Sequence, residues 1–235
     1  MTAFLTARWT NLCLLNYAVP PSALEPHLPR GLSLDTHEGE TFISLVAFDF
    51  LDTRVLGIPW PGYRNFPEIN LRFYARQGDR RGVVFIREWV PQPLVAWLAR
   101  TLYNEPYLAT PMRSSTTETD ASITVEHHLL YGGRANTVRV TANKPAVMVS
   151  EDSVEHFFKE HQWGFGMSRQ GEPTLYEVRH PHWRTFPVEA AELDWDWELI
   201  YGPKWAFLQE QAPHSTVLAV GSDISVHPLT KSNDK

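Results

Sequence analysis

The sequence predicts an α+β fold dominated by antiparallel strands, and three observations carry that prediction. In "PEINLRFYAR", Pro67 to Arg76, the residues Ile69, Leu71, Phe73 and Ala75 fall on one parity, with Glu68, Asn70, Arg72, Tyr74 and Arg76 on the other. That is the period of a strand with two unlike faces. "GVVFIREWV" follows after the polar "RQGDRRG", so the two strands form a hairpin with a charged tip. Helical periodicity is confined to a few short segments, and the 235 residues carry no repeat, linker or shift in composition. One domain over residues 1–229 is expected, with 230–235, "TKSNDK", as a flexible tail.

Taken in order, "VPPSALEPHLPRGL" predicts a short helix, with Ser22 three residues before Glu25 as in a capping box and Pro29 with Gly31 closing it. "ETFISLVAFDFLDTRV" is a long strand whose middle barely alternates, as when both faces are covered. "QPLVAWLARTLYNEP" reads as a helix with Leu94, Val95, Leu98 and Leu102 near one face and Pro106 after its end. "ASITVEHHLLYGGRANTVRVTANKP" is a second hairpin reversing at Gly132-Gly133. "SVEHFFKEHQWGF" predicts a helix capped by Ser153. The segments from "TLYEVRHPHWRTF" to "STVLAVGSDISVHPL", including "WELIYG", read as mixed strand and loop, with Trp195 and Trp197 packed inward.

Composition narrows the function. A 43% apolar and 20% charged chain with nine Trp, eight Tyr and twelve Phe is an ordinary globule with ample aromatic material for a core or a pocket wall. A net charge of −6 and the lack of a long basic run argue against nucleic acid. No apolar run is long enough for a membrane-spanning helix, and the N-terminus lacks the pattern of a secretory leader. The lone Cys13 lies in the apolar "NLCLLNYAV" and reads as a buried structural thiol, which predicts a soluble protein of a reducing, cytoplasmic compartment.

Common catalytic signatures are missing. There is no G-x-S-x-G elbow and no P-loop, and "GFGMSR" puts Arg169 where a dinucleotide loop needs its third glycine. His127 and His128 on one strand point to opposite faces and are expected at the surface or an interface. "HPHW", His180 to Trp183, lacks spaced partners, so neither a metal nor another cofactor is predicted.

The polar face of the opening strand admits three readings: a solvated outer face, a buried network that fixes strand register, or the wall of a binding cavity. Arg87 shares a parity with Val83, Phe85 and Trp89, which makes it the odd polar residue on an apolar face. Glu68, across the hairpin, is its expected partner, so Arg87 is either a structural ion pair or a ligand contact.

Several segments then resemble one family. "VPPSALEPHLPRGLSLDTHEGETFISLVAFDF", "FPEINLRFYAR", "GVVFIREW", "PYLATPM", "SVEHFFKE" and "VRHPHW" are similar, in this order, to blocks of the DUF2071, or YqjF-like, proteins. That family is related to acetoacetate decarboxylase, and the resemblance implies its cone-shaped antiparallel β-barrel with a central cavity and a few short helices. The decarboxylase uses one of two adjacent lysines to form a Schiff base. The matching region here is "ARTLYNEPYLATPM", with Tyr107 and Leu108 where the lysines would stand. The resemblance therefore implies that the fold is kept and the Schiff-base chemistry lost, unless one of the five lysines enters the cavity from elsewhere.

It also aligns Glu68 with a glutamate of the decarboxylase pocket. Glu68, Asn70 and Arg72 would then lie on one wall, spaced every ~7 Å. On this reading the chain binds a small organic molecule, a carboxylate or carbonyl compound, through Glu68, Asn70, Arg72, Arg87 and Tyr107. Glu68 is the candidate base if a non-covalent lyase-type reaction follows. A phenol packed in a turn against Trp97 or Tyr103 is the plainer reading of Tyr107. A homo-oligomer through the acidic-aromatic run "VEAAELDWDWELIY" stays an open alternative.

Overall fold

The long apolar runs of this chain become strands buried on two sides. In the computed structural model, which describes residues 3–231, the chain opens with β1 (Leu5–Ala18), α1 (Pro21–Leu24), a 3-10 turn (Glu25–His27) and β2 (Ser33–Leu34). β3 (Phe42–Val55), β4 (Phe66–Gln77) and β5 (Arg80–Val90) follow, then α2 (Pro93–Leu102), β6 (Tyr107–Ala109) and β7 (Met112–Glu118). The hairpin β8 (Ser122–Tyr131) and β9 (Arg134–Asn143) precedes α3 (Val154–Lys159), β10 (Trp163–Met167), β11 (Pro173–Arg179), β12 (Thr185–Phe186) and β13 (Val188–Asp194). α4 (Trp197–Tyr201), a 3-10 helix (Pro203–Glu210), β14 (Ser215–Val226) and β15 (Thr230–Lys231) complete the described chain. The architecture is mixed α/β, mostly strand with few helices.

The larger sheet runs β12-β14-β1-β3-β4-β5-β10-β11-β15. Because β11 also pairs with β14 at Val178↔Val226 and Arg179↔Ser225, the ladder β14-β1-β3-β4-β5-β10-β11 returns to its first strand. A four-stranded sheet, β13-β9-β8-β7, packs on one face. Alternation along β3 and β4 divides the core in two. Ile43, Leu45 and Ala47 with Ile69, Leu71, Phe73 and Ala75 join the second sheet's Val125, Val138 and Val140. The opposite parity, Val46, Phe48, Phe50, Phe66 and Tyr74, packs with Phe157, Phe158 and Trp183. Burying residues of both parities is what removes alternation from the middle of β3.

Several sequence expectations change. Ser22 does not cap α1: the cap is Pro20, without a side-chain hydrogen bond, and Pro21 holds the first helical position. A proline there is preset for the helix and needs no N–H acceptor, which moves Ser22 inside it. "WELIYG" forms α4, its first turn held by Leu199 N–H donating to Asp196 Oδ1 at 2.9 Å. Of the expected tail, Thr230 and Lys231 pair with β11, and 232–235 lie outside the described residues. His127 is fully buried, because the period of β8 lines it up with Ile123, Val125 and Leu129 on the inner face. Burial lowers its pKa to about 3, so the ring is neutral.

β1 bends where its register against β3 shifts between Thr10 and Cys13. Gly221 faces this bend from β14 with φ +82°, and a Cβ there would lie 2.1 Å from the Trp9 carbonyl oxygen. Both backbone strain and collision oppose any side chain. Gly221→Ala should lower unfolding stability by about 2–4 kcal/mol in urea titration. A loss below about 0.5 kcal/mol would show that the bend is not held this tightly.

Candidate functional site

β4 places three polar side chains where its even parity meets the second core. Glu68 is 3% and Asn70 1% exposed, and with Arg72 they border a cavity of ≈ 570 Å³. The lining draws on β1, β3, β4, β5, β10, β11 and β14, on α2 and on residues of the 56–63 loop. Glu68 is held by two donors: Asn70 Nδ2 at 2.9 Å to Oε1 and the Tyr107 hydroxyl at 2.8 Å to Oε2. Tyr107 is thus a cavity phenol.

Arg87 does not pair with Glu68. In β5, Leu71 faces Arg87 while Arg72 faces Phe85, so Ile86 is the extra residue of a β-bulge. The bulge inverts parity. Val83 and Phe85 face the cavity, whereas Trp89 lies in the opposite core. Arg87 donates to the Ile200 carbonyl and sits 5.7 Å from the Trp89 ring centroid, on the far side of the sheet. The same inversion turns Glu88 into the cavity.

The structure adds residues that sequence reasoning missed. Glu88 is 1% exposed, and Glu105, in the turn between α2 and β6, is 6% exposed. Tyr176 hydrogen-bonds Glu105, and its ring lies so close to Gly164 that a Cβ there would meet Cζ at 2.2 Å. A glutamate in an apolar strand beside Arg87 was a signal for Glu88, but only with the bulge in view. Glu105, in an irregular turn, had no periodic signal.

Past Arg72 the lining continues with Lys159, His161 and His180. Arg72 Nη2 donates to the Phe158 carbonyl at 3.2 Å. Lys159, 2% exposed, reaches the cavity edge but pairs its Nζ with Glu160. Glu160 also accepts the Trp183 N–H at 3.1 Å. His161 stands 3.4 Å from Asp35, and His180 stacks on Trp183 at 4.1 Å. The floor therefore grades along β4 from carboxyls at Glu68 to the guanidinium of Arg72. Beyond it Lys159 is paired with Glu160, and burial lowers the pKa of His161 to about 4, leaving that ring neutral.

Desolvation dominates the electrostatics. Burial pushes Glu68 up to about 7, against the opposing pull of Asn70, Tyr107 and Arg72. Glu105 rises to about 8 through burial, with Tyr176 opposing and the charge of Glu68 adding. Glu88 rises well above the usual range from burial and from the charges of Glu105 and Glu68. Glu88 Oε2, Glu105 Oε1, Asn70 Oδ1 and Arg72 Nε are buried without a hydrogen-bond partner among the described residues. Unmet donors and acceptors in one cavity are what a polar ligand can satisfy.

A carboxyl with a raised folded-state pKa binds its proton more tightly folded than unfolded. Its stabilising contribution is present below the ordinary carboxyl pKa and is lost as pH rises through the folded value. Glu105→Gln should therefore raise stability relative to the parent chain at pH 8.5 by on the order of 2 kcal/mol, and by much less at pH 5. Equal effects at both pH values would mean that Glu105 titrates normally.

Comparison with known proteins fits this geometry. A protein of Bacillus subtilis (strain 168), the uncharacterized protein YqjF, is 33% identical over 107 residues, covering 45% of this chain and 44% of that protein. The alignment thus spans less than half of the relative's length. Among solved structures, an acetoacetate decarboxylase-like enzyme from Sphingomonas wittichii RW1 superposes with a TM-score of 0.67 at 12% identity, over 100% of this chain and 95% of that one. Acetoacetate decarboxylase from Legionella pneumophila gives 0.65 at 13%, over 99% and 88%. The enduracididine biosynthesis enzyme MppR complexed with pyruvate gives 0.66 at 14%, over 100% and 92%. At these identities the likeness is one of fold. The family profile named DUF2071, an uncharacterized conserved protein, matches residues 6–223; the chain belongs to the DUF2071 family.

Proposed function

We propose that this chain binds a small organic carbonyl compound or carboxylate, its polar group seated on Glu68, Asn70, Arg72 and Tyr107. The observation that carries the reading is the cavity of ≈ 570 Å³ that collects these groups with Glu88 and Glu105 under an aromatic wall. Pockets of this size and lining are where small ligands bind. The reading takes the closed ring of strands as a cone-like barrel of the acetoacetate decarboxylase type, acting as one domain. The buried thiol of Cys13 supports a reducing, cytoplasmic setting.

The wall offers two complementary contacts. A protonated carboxyl can donate to a carbonyl oxygen, and Arg72 can accept a carboxylate in a site of low dielectric. A structure of similar fold is complexed with pyruvate, which makes 2-oxo acids the first compounds to test. Binding, followed by tryptophan fluorescence, should weaken about tenfold to a hundredfold in Arg72→Met. Unchanged affinity in a folded variant would remove this wall from the ligand.

A second reading, non-covalent enol chemistry, is favoured by Glu68 raised to about 7 beside two further carboxyls that burial also raises. Near neutral pH such a cluster holds both a proton donor and a base. Glu68 would take a proton from the carbon beside the ligand's carbonyl, and Arg72 would stabilise the enolate oxygen. In deuterium oxide a bound 2-oxo acid should then exchange that hydrogen, at a rate that Glu68→Gln lowers at least about a hundredfold. Binding without exchange would leave a carrier or sensor.

Covalent amine chemistry has no support. The resemblance aligns Tyr107 and Leu108 with the lysine pair, and Lys159 would have to give up Glu160 to act as a free amine. Borohydride with acetoacetate should leave the protein mass unchanged. An adduct on Lys159 would replace the non-covalent readings with a Schiff base.

A further inference from the structure

We infer that the ligand of this cavity carries a hydrocarbon tail, so that the substrate class is an amphipathic carbonyl compound or carboxylate rather than a short keto acid. The inference rests on the binding reading above and adds what lies beyond the polar wall.

Along β4 the cavity face changes character within one rung. After Arg72, Asn70 and Glu68 comes Phe66, with Tyr63 and Trp60 of the loop that precedes β4 beyond. On the neighbouring β3, Phe48 stands beside Glu68 and Phe50 beside Phe66. The rings of Phe50 and Phe66 stack at 4.8 Å, and Trp9 closes on Phe48 at 5.1 Å.

The opposite side is α2, whose burial is unlike that of a core helix. Only Ala96 is buried. Its apolar stripe, Leu94, Leu98 and Leu102, lines the cavity, although Leu94 is 41% and Leu102 48% exposed. A helix of this pattern ordinarily seats its stripe on protein. Here the stripe, ~12 Å long at 1.5 Å per residue, lines the same cavity as Trp60, which is 52% exposed.

A head group bound at Glu68 and Arg72 would leave most of this lining against water. A hydrocarbon chain continuing from that head group covers the aromatic rungs on one side and the leucine stripe on the other. It is the occupant that matches a lining polar at one end and apolar over the rest.

The test is a series of straight-chain 2-oxo acids, from pyruvate to about twelve carbons, titrated against the full chain. Affinity should rise about fourfold per added methylene before it levels off, with an increasingly negative heat-capacity change. In Leu98→Asn, checked for an unchanged melting transition, the dependence on chain length should flatten. If the variant unfolds, the heat-capacity series on the parent chain still decides.

Pyruvate binding with no gain along the series would overturn the tail and leave the polar wall standing. No binding by any member would overturn the wall itself. A dimer in sedimentation that Leu98→Asn splits would assign the stripe to a second copy of the chain and also overturn the inference.

Discussion

The strand β4 is covered on both faces, and the chemistry of the cavity follows from that constraint. Its odd parity is sealed by the second sheet. Its even parity faces a space walled by other strands, so Glu68 and Asn70 are out of contact with bulk water. An ionised carboxylate taken from water costs several kcal/mol even after relaxation. Two donated hydrogen bonds and one guanidinium offset only part of this at Glu68, and the remainder appears as a tightly held proton. Glu88 and Glu105 add like charge to the same low-dielectric space, so ionising one makes ionising the next harder. The three carboxyls behave as one titrating unit, with Arg72 as the nearest fixed charge of opposite sign.

Much of the fold was legible because it depends on local periodicity. The alternation of β4, the charged tip of its hairpin, the glycine pair between β8 and β9 and the Ser153 cap of α3 are all short-range statements, and they hold. Where a long-range event intervenes, the reading breaks. Arg87 went to the wrong face because a single inserted residue, Ile86, inverts parity halfway along β5, and no residue type announces that bulge. The same inversion hid Glu88. His127 was given to the surface on residue type alone, whereas the period of its strand already placed it with Ile123 and Val125. The stripe of α2 was legible; that it faces a cavity was not, because a helix pattern records only that one side is apolar.

The site was half legible for a related reason. Glu68, Asn70 and Arg72 share one parity of one strand, so once any of them lines the cavity all three do. Tyr107 came from the position matched to the decarboxylase lysine pair. Glu105, Tyr176 and Lys159 arrive from a turn, a distant strand and a short helix, and their meeting depends on ring closure between β11 and β14. No spacing within the sequence encodes that closure.

A carboxyl cluster and an amine site give a cavity different chemistry. A Schiff base activates a carbonyl by adding a cation to it, and it needs a nucleophile that is neutral in the resting state. The present cavity holds the opposite arrangement: its lysine is ion-paired at the edge, while its acids are the groups kept neutral by burial. Under the proposed enol chemistry, activation of a bound carbonyl would come from hydrogen bonds and from the guanidinium of Arg72, which favour an enolate oxygen without covalent attachment. An incoming carboxylate adds a further negative charge to three carboxyls and one guanidinium. It can be held with little electrostatic cost only while most of those carboxyls keep their protons. On the proposed binding reading, ligand charge and cavity protonation are therefore linked, and the burial of β4 sets the pH at which one gives way to the other.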